Sequence, residues 1–235
     1  MKKKPLILHI ESATGICSTC ISCGSEILDL QEAEEVFQHS NALTKLINKC
    51  LNNSGLTLKE LDAVALSSGP GSYTSLRVGA STAKGICYAL DKPLISVDTL
   101  QSLALSTIKK MPIKEALYCP MIDARRMEVY CNVFDSKGNP LSSTIAKVID
   151  KRSFEDYFNN GQTIVFCGNG ADKCRETIDS PCAIFDPSEC SAAYLPELAL
   201  HHFENKIFED TAYFIPLYLK PPNITFPKNM NLLKA

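Results

Sequence analysis

The chain has 235 residues, 45% hydrophobic and 21% charged, which is the composition of a globular protein able to bury a real core. Twenty-four basic residues stand against 26 acidic ones, so the surface offers no strong field to draw in nucleic acid or an anionic membrane directly. No apolar run has the length of a bilayer-spanning helix, and His9 and Glu11 break the lysine-led start before it could act as an export signal, so a cytoplasmic protein is expected.

Apolar residues over 6–10 predict a strand that ends on Glu11, followed by a turn at 12–15. Two short strands follow over 16–22 and 25–30, hinged at Gly24. From His39 the apolar positions Leu43, Leu46, Ile47, Cys50 and Leu51 recur at helical spacing, ended by Asn52-Asn53-Ser54-Gly55. A buried strand over 62–66 runs into Gly69-Pro70-Gly71, and Ser72 is placed to cap a long helix to about Leu90. A strand over 95–97 and a helix over 99–109 complete the first series.

The order then begins again. An apolar strand over 116–122 ends on Asp123, as the first ended on Glu11. Strands over 128–134 and 141–148 flank the turn residues 136–140, a helix is expected near 153–158, and a strand over 163–167 runs into Gly168-Asn169-Gly170. A last helix is expected to start at 171–177. The repetition predicts an α/β protein built from two βββαβα units with a cleft between two lobes. The expected limits are 1–110 for the first lobe, 111–221 for the second and 222–235 for a variable tail.

Eleven cysteines are an odd count in a long, regularly patterned chain, which argues against a secreted disulfide scaffold. Most sit in apolar runs as small hydrophobes. Cys17, Cys20 and Cys23 have iron–sulfur spacing, but the segment reads as a strand. Positions three apart on a strand face opposite ways, so reduced structural thiols are expected there.

The first glycine turn, Gly69-Pro70-Gly71-Ser72, sits where strand meets helix, where backbone amides can cradle a phosphate. It lacks the Lys-Ser/Thr of a P-loop, and the alternative use is tight packing of the long helix on its sheet. Within the long helix, Gly79, Ala80, Ala83 and Gly85 form a ridge of small residues. It permits close approach either by the chain's own sheet or by a partner helix.

Several segments together resemble the TsaB (YeaZ) family of glycoprotease-like proteins. They are Ile-Glu-Ser-Ala-Thr from Ile10, His39-Ser40-Asn41-Ala42-Leu43, Ser-Gly-Pro-Gly-Ser-Tyr-Thr-Ser-Leu-Arg-Val-Gly from Ser68, Ile-Asp-Ala-Arg-Arg-Met-Glu-Val-Tyr from Ile122 and Pro-Leu-Tyr-Leu-Lys from Pro216. The resemblance implies the actin/sugar-kinase/Hsp70-like fold. It further implies a non-catalytic partner in adding threonylcarbamoyl to the adenosine beside the anticodon of tRNAs that read ANN codons. The implied partners are the paralogue TsaD and the ATPase TsaE, with a second copy of the chain when it is alone and tRNA reached only through the complex. The catalytic paralogue carries a metal-binding His-x-x-x-His where this chain has Asp98 and Ser102, so no metal or cofactor is expected.

Residues left from a degenerate nucleotide cleft would be Glu11, Gly69, Gly71, Asp123, Gly168 and Gly170. The expected partner surface is the pair of helices 39–51 and 72–90, with His39, Leu43, Leu46, Leu76, Gly79, Ala80 and Ala83 at the contact. The competing reading is an ATP-dependent phosphotransferase of the same fold, using Glu11 and Asp123 to hold a magnesium–nucleotide. A zinc peptidase has no ligand set here, since His-Glu-x-x-His is lacking.

Overall fold

The computed structural model describes residues 4–33 and 39–221. Strand β1 (Leu6–Glu11) is buried on both sides because it lies at the centre of a sheet covered on both faces, with His9 and Glu11 among its buried residues. The hairpin strands β2 (Ser18–Cys23) and β3 (Glu26–Glu32) extend that sheet antiparallel on one side. On the other, β4 (Ala63–Ser67) and β5 (Leu94–Val97) run parallel to β1, giving the order β3-β2-β1-β4-β5. The second sheet comprises β6 (Leu117–Asp123), β7 (Glu128–Cys131), β8 (Ile145–Val148), β9 (Ile164–Cys167) and β10 (Ala183–Asp186). Its order is β10-β9-β6-β7-β8, with the same antiparallel and parallel senses about its own first strand. The duplication legible in the sequence is therefore a duplication of topology, as the actin-like class requires.

Helices α1 (His39–Ser54) and α2 (Tyr73–Leu90) lie side by side on one face of the first sheet. Leu43, Ile47, Cys50, Ala80, Ala83 and Cys87 from this pair pack with Leu8, Ile10, Val64 and Leu66. The opposite face, with Ile7, Ala65, Ile95 and Val97, is covered by Leu195 and Ala199 at helix α5 (Pro196–Glu204). Helix α3 (Thr99–Lys110), which follows the last strand of the first sheet, packs instead on the second, its Leu100, Leu103 and Ala104 against Tyr118, Ile122 and Val165. The short α4 (Glu155–Asn159) follows Phe154, whose ring meets Phe166 at 5.1 Å on the other side of that sheet. Each unit thus lends its last helix to the other unit's sheet, and a division at residue 110 separates α3 from the strands it covers.

Several sequence expectations need correction. The strands expected over 128–134 and 141–148 shrink to Glu128–Cys131 and Ile145–Val148. The helix expected from 171 is a single tight turn at Asp172–Cys174. Strand β10 and helix α5 had no counterpart in the sequence reading. Ser72 flanks α2, yet its hydroxyl accepts from Ser75 Oγ (2.9 Å) rather than from a helix amide.

All eleven cysteines are free. Cys17 packs in the core beneath α1, whereas Cys20 points the other way and donates to the Ala192 carbonyl (3.3 Å). Burial pushes the thiols of Cys17, Cys50 and Cys167 up to about 12, which leaves them protonated and inert. No helix among the described residues is long and apolar enough to cross a membrane.

Candidate functional site

A cleft of ≈ 590 Å³ opens between the lobes. The first lobe contributes residues 13–16 and 70–74, the second contributes 122–125, Tyr130 and Asn169, and residues 217–221 run along it. This C-terminal segment is tied to both sides. The Leu217 amide donates to the Ser68 carbonyl (2.8 Å), the Tyr218 ring sits 4.6 Å from that of Tyr73, and Lys220 forms an ion pair with Glu128 of β7. Arg77 stacks its guanidinium 4.4 Å over Tyr73, so α2, the segment and the cleft wall form one layered contact.

Of the six cleft candidates, Gly71 and Asp123 line the cavity. The glycines are required for packing. A Cβ at Gly71 would lie 2.3 Å from the Ala13 carbonyl oxygen, and one at Gly170 would lie 2.9 Å from the Asp123 amide nitrogen. Gly69 adopts φ +104° and faces the Leu217 carbonyl, while Gly168 sits against the Met121 carbonyl. Both turns seat their lobe's chain on the end of its first strand. Gly71→Ala is accordingly expected to cost about 2–4 kcal/mol in urea unfolding, because backbone rather than a movable side chain opposes the new methyl.

The two acids are not equivalent. Asp123 is half-exposed, accepts from the Arg125 amide (2.9 Å) and pairs with Lys173. Glu11 is sealed: its Oε1 accepts from the Ala13 amide (2.6 Å) and Ser67 hydroxyl (2.9 Å), and Oε2 has no partner among the described residues. Burial pushes its carboxyl up to about 7 against those hydrogen bonds. Of the two acids, only Asp123 faces the cleft, where it is paired with Lys173, while Glu11 is buried away from it.

The partner-surface candidates are also redistributed. Leu43, Leu76, Ala80 and Ala83 are buried in the first lobe, and a Cβ at Gly79 would lie 2.2 Å from Ser12 Oγ. Gly79, Ala80 and Ala83 therefore pack α2 onto its own sheet while Gly85 of the same ridge faces outward, and only Leu46 of the described partner-surface candidates is partly open. His39 begins α1, but its side chain lies outside the described residues, as does the tail 222–235. The outward face of α2 instead carries Thr74, Arg77, Ser81, Gly85 and Tyr88, the last 87% exposed. The helical period read from Leu76, Gly79, Ala80 and Ala83 would have placed these residues outside.

Asp98 and Ser102 have local roles. Asp98 Oδ1 accepts the Gln101 amide (2.7 Å) as the N-cap of α3, and Ser102 Oγ donates to the Thr99 carbonyl (3.0 Å).

A family model described as TsaD, tRNA N6-adenosine threonylcarbamoyltransferase, matches residues 34–225. The tRNA threonylcarbamoyladenosine biosynthesis protein TsaB of Haemophilus influenzae is 32% identical over 124 residues, 53% of this chain and 51% of that protein. The TsaB of Buchnera aphidicola subsp. Acyrthosiphon pisum is 29% identical over 157 residues, 66% of this chain and 70% of that protein. The match thus spans about half the length of the Haemophilus relative. The solved structure of YeaZ from Pseudomonas aeruginosa superposes with a TM-score of 0.74 at 22% identity, covering 92% of this chain and all of that one, which shows a shared fold. With the family model matched across both lobes, the chain belongs to the TsaD-like family, on its TsaB (YeaZ) branch.

Proposed function

We propose that the chain is the non-catalytic partner subunit in threonylcarbamoylation of tRNA, acting by binding a TsaD-like paralogue. The observation that carries this reading is the start of α3, where the resemblance implies a metal-binding histidine pair in the paralogue and this chain has Asp98 and Ser102, a helix cap and a backbone-bonded hydroxyl. Neither supplies an imidazole, so this site favours a supporting over a catalytic role. A TsaE-like ATPase joins the complex, and tRNA is met through it, in keeping with a net charge of −2.

The docking surface is the outer face of α1 and α2, with Thr44, Lys45 and Asn48 exposed beside Arg77, Ser81 and Tyr88. A second copy of the chain uses the same face when the paralogue is missing, so the two associations exclude each other. The fully outward Tyr88 is the natural probe, since exposed aromatic side chains are common anchors of interfaces. Tyr88→Glu should stay folded by circular dichroism, elute as a monomer, fail to capture the TsaD-like paralogue and fail to support modification in a reconstituted assay. Capture at wild-type affinity would move the partner surface elsewhere. Modification that proceeds without this chain would end the subunit reading altogether.

A further inference from the structure

The outer layer of the first lobe is chemically one-sided. Helices α1 and α2 carry four cations, Lys45, Lys49, Arg77 and Lys84, and neither helix contains an aspartate or a glutamate, in a chain whose net charge is −2. Lys45, Lys49 and Arg77 are exposed. On α2, Arg77, Ser81, Lys84 and Tyr88 follow one another at three- and four-residue spacing, so they form one stripe along the helix.

The chain lays a second element beside that stripe. The Lys84 ammonium donates to the carbonyl oxygens of Ala212 and Phe214, at 3.1 Å each, and Phe214 packs against the core beneath the two helices. From there residues 212–217 run toward the start of α2, where Tyr218 meets Tyr73. With Phe214 turned inward its neighbours stand outward: Tyr213 is 81% exposed and Ile215 72%. Tyr88, one turn beyond Lys84 on α2, is the third large side chain left open there. Apolar side chains gathered about one point, rather than scattered singly, mark a surface that another protein covers.

Resting on the subunit reading above, we propose that residues 212–217 complete the docking face of α1 and α2, and that this composite face takes an acidic, apolar-studded surface of the TsaD-like paralogue. The cations set the sign of the partner, because an acidic patch is drawn to them over about 10 Å at moderate salt. The open side chains set its class. A phosphate backbone would use Lys45, Lys49 and Arg77 but gain nothing from Ile215, whereas a protein surface uses both. A second copy seated on the same face sets cation against cation, so self-association strengthens when salt screens that repulsion. The two associations therefore respond to salt in opposite directions.

The test titrates the full chain with the purified TsaD-like paralogue in a calorimeter at a series of salt concentrations, with light scattering of the chain alone. Affinity for the paralogue should fall by about tenfold between about 0.05 and 0.5 M sodium chloride, while the chain alone shifts toward dimer. Ile215→Asp and Lys45→Glu should each stay folded by circular dichroism and each weaken paralogue binding by about fivefold to fiftyfold. Lys84→Met keeps the aliphatic stem and removes the ammonium that holds residues 212–217. It should weaken binding as well and speed amide exchange in that segment. Parental affinity in Ile215→Asp, with Tyr88→Glu still impaired, would remove residues 212–217 from the interface and leave the subunit reading standing. Affinity that does not fall with salt, or that rises in Lys45→Glu, would overturn the acidic partner surface. Binding of tRNA by the chain alone, lost in Lys45→Glu while paralogue capture persists, would reassign the face to nucleic acid. A parent chain that binds no paralogue at any salt concentration would overturn the subunit reading and this inference with it.

Discussion

Ala83→Lys is expected to unfold the first lobe, whereas Gly85→Lys, two residues along the same helix, is expected to leave it folded. Ala83 is 0% exposed and packed with Ile10, Val64 and Leu66, so a lysine there must either bury an unpaired charge or push α2 off the sheet. An uncompensated buried charge costs about 3–5 kcal/mol and overpacking adds about 1–3, against a typical total stability of about 5–15. A Cβ at Gly85 meets nothing within 4 Å, and removing a glycine from a helix interior contributes about 0.5–1 kcal/mol. Thermal unfolding by circular dichroism separates the two outcomes. The same Gly85→Lys protein, folded and monomeric, should have lost capture of the TsaD-like paralogue. Equal melting curves for both variants would show that the ridge does not pack internally.

The pH dependence of stability should change shape when either buried group of β1 is removed. His9 and Glu11 lie two residues apart, both 0% exposed. Burial lowers His9 to about 3 and raises Glu11 to about 7. Between about pH 4.5 and 7 the unfolded chain has released the Glu11 proton and the folded protein keeps it, so stability falls as pH rises. Between about pH 3 and 6.5 the unfolded His9 binds a proton that the folded site excludes, so stability rises with pH. Over their shared range the two slopes oppose each other. Glu11→Gln should therefore gain on the parent by up to about 3 kcal/mol from pH 4.5 to 7, and His9→Asn should gain by up to about 5 as pH falls from 6.5 to 3. Urea unfolding at a series of pH values measures both differences. Variant curves that run parallel to the parent would refute the linkage.

The strands at the sheet centres were legible because burial on both faces leaves mostly apolar runs, as in β4, β6 and β9, and in β1 despite His9 and Glu11. Helix α2 was legible from its period. What the period could not say is whether the small residues meet the chain's own sheet or another chain, since both need the same ridge. Strand β10 and helix α5 escaped because four and nine residues carry little pattern, and α5 is held by Ile7 and Ile95 far away in sequence. The cleft was reached through Gly71 and Asp123 only. Tyr73, Tyr218 and Lys220 meet there through long-range topology, and whether Glu11 faces the cleft or the core turns on Ser67 and the Ala13 amide.

The exchange of helices between lobes has a consequence for how the chain is made. Leu195 and Ala199 cover the face of the first sheet formed by Ile7, Ala65, Ile95 and Val97. On the ribosome they are added about 100 residues after that sheet's last strand, so at about 5–20 residues per second its apolar face waits for roughly 5–20 s. During that interval the nascent first sheet is a natural client for a chaperone, and a ribosome stalled before residue 195 would display it uncovered.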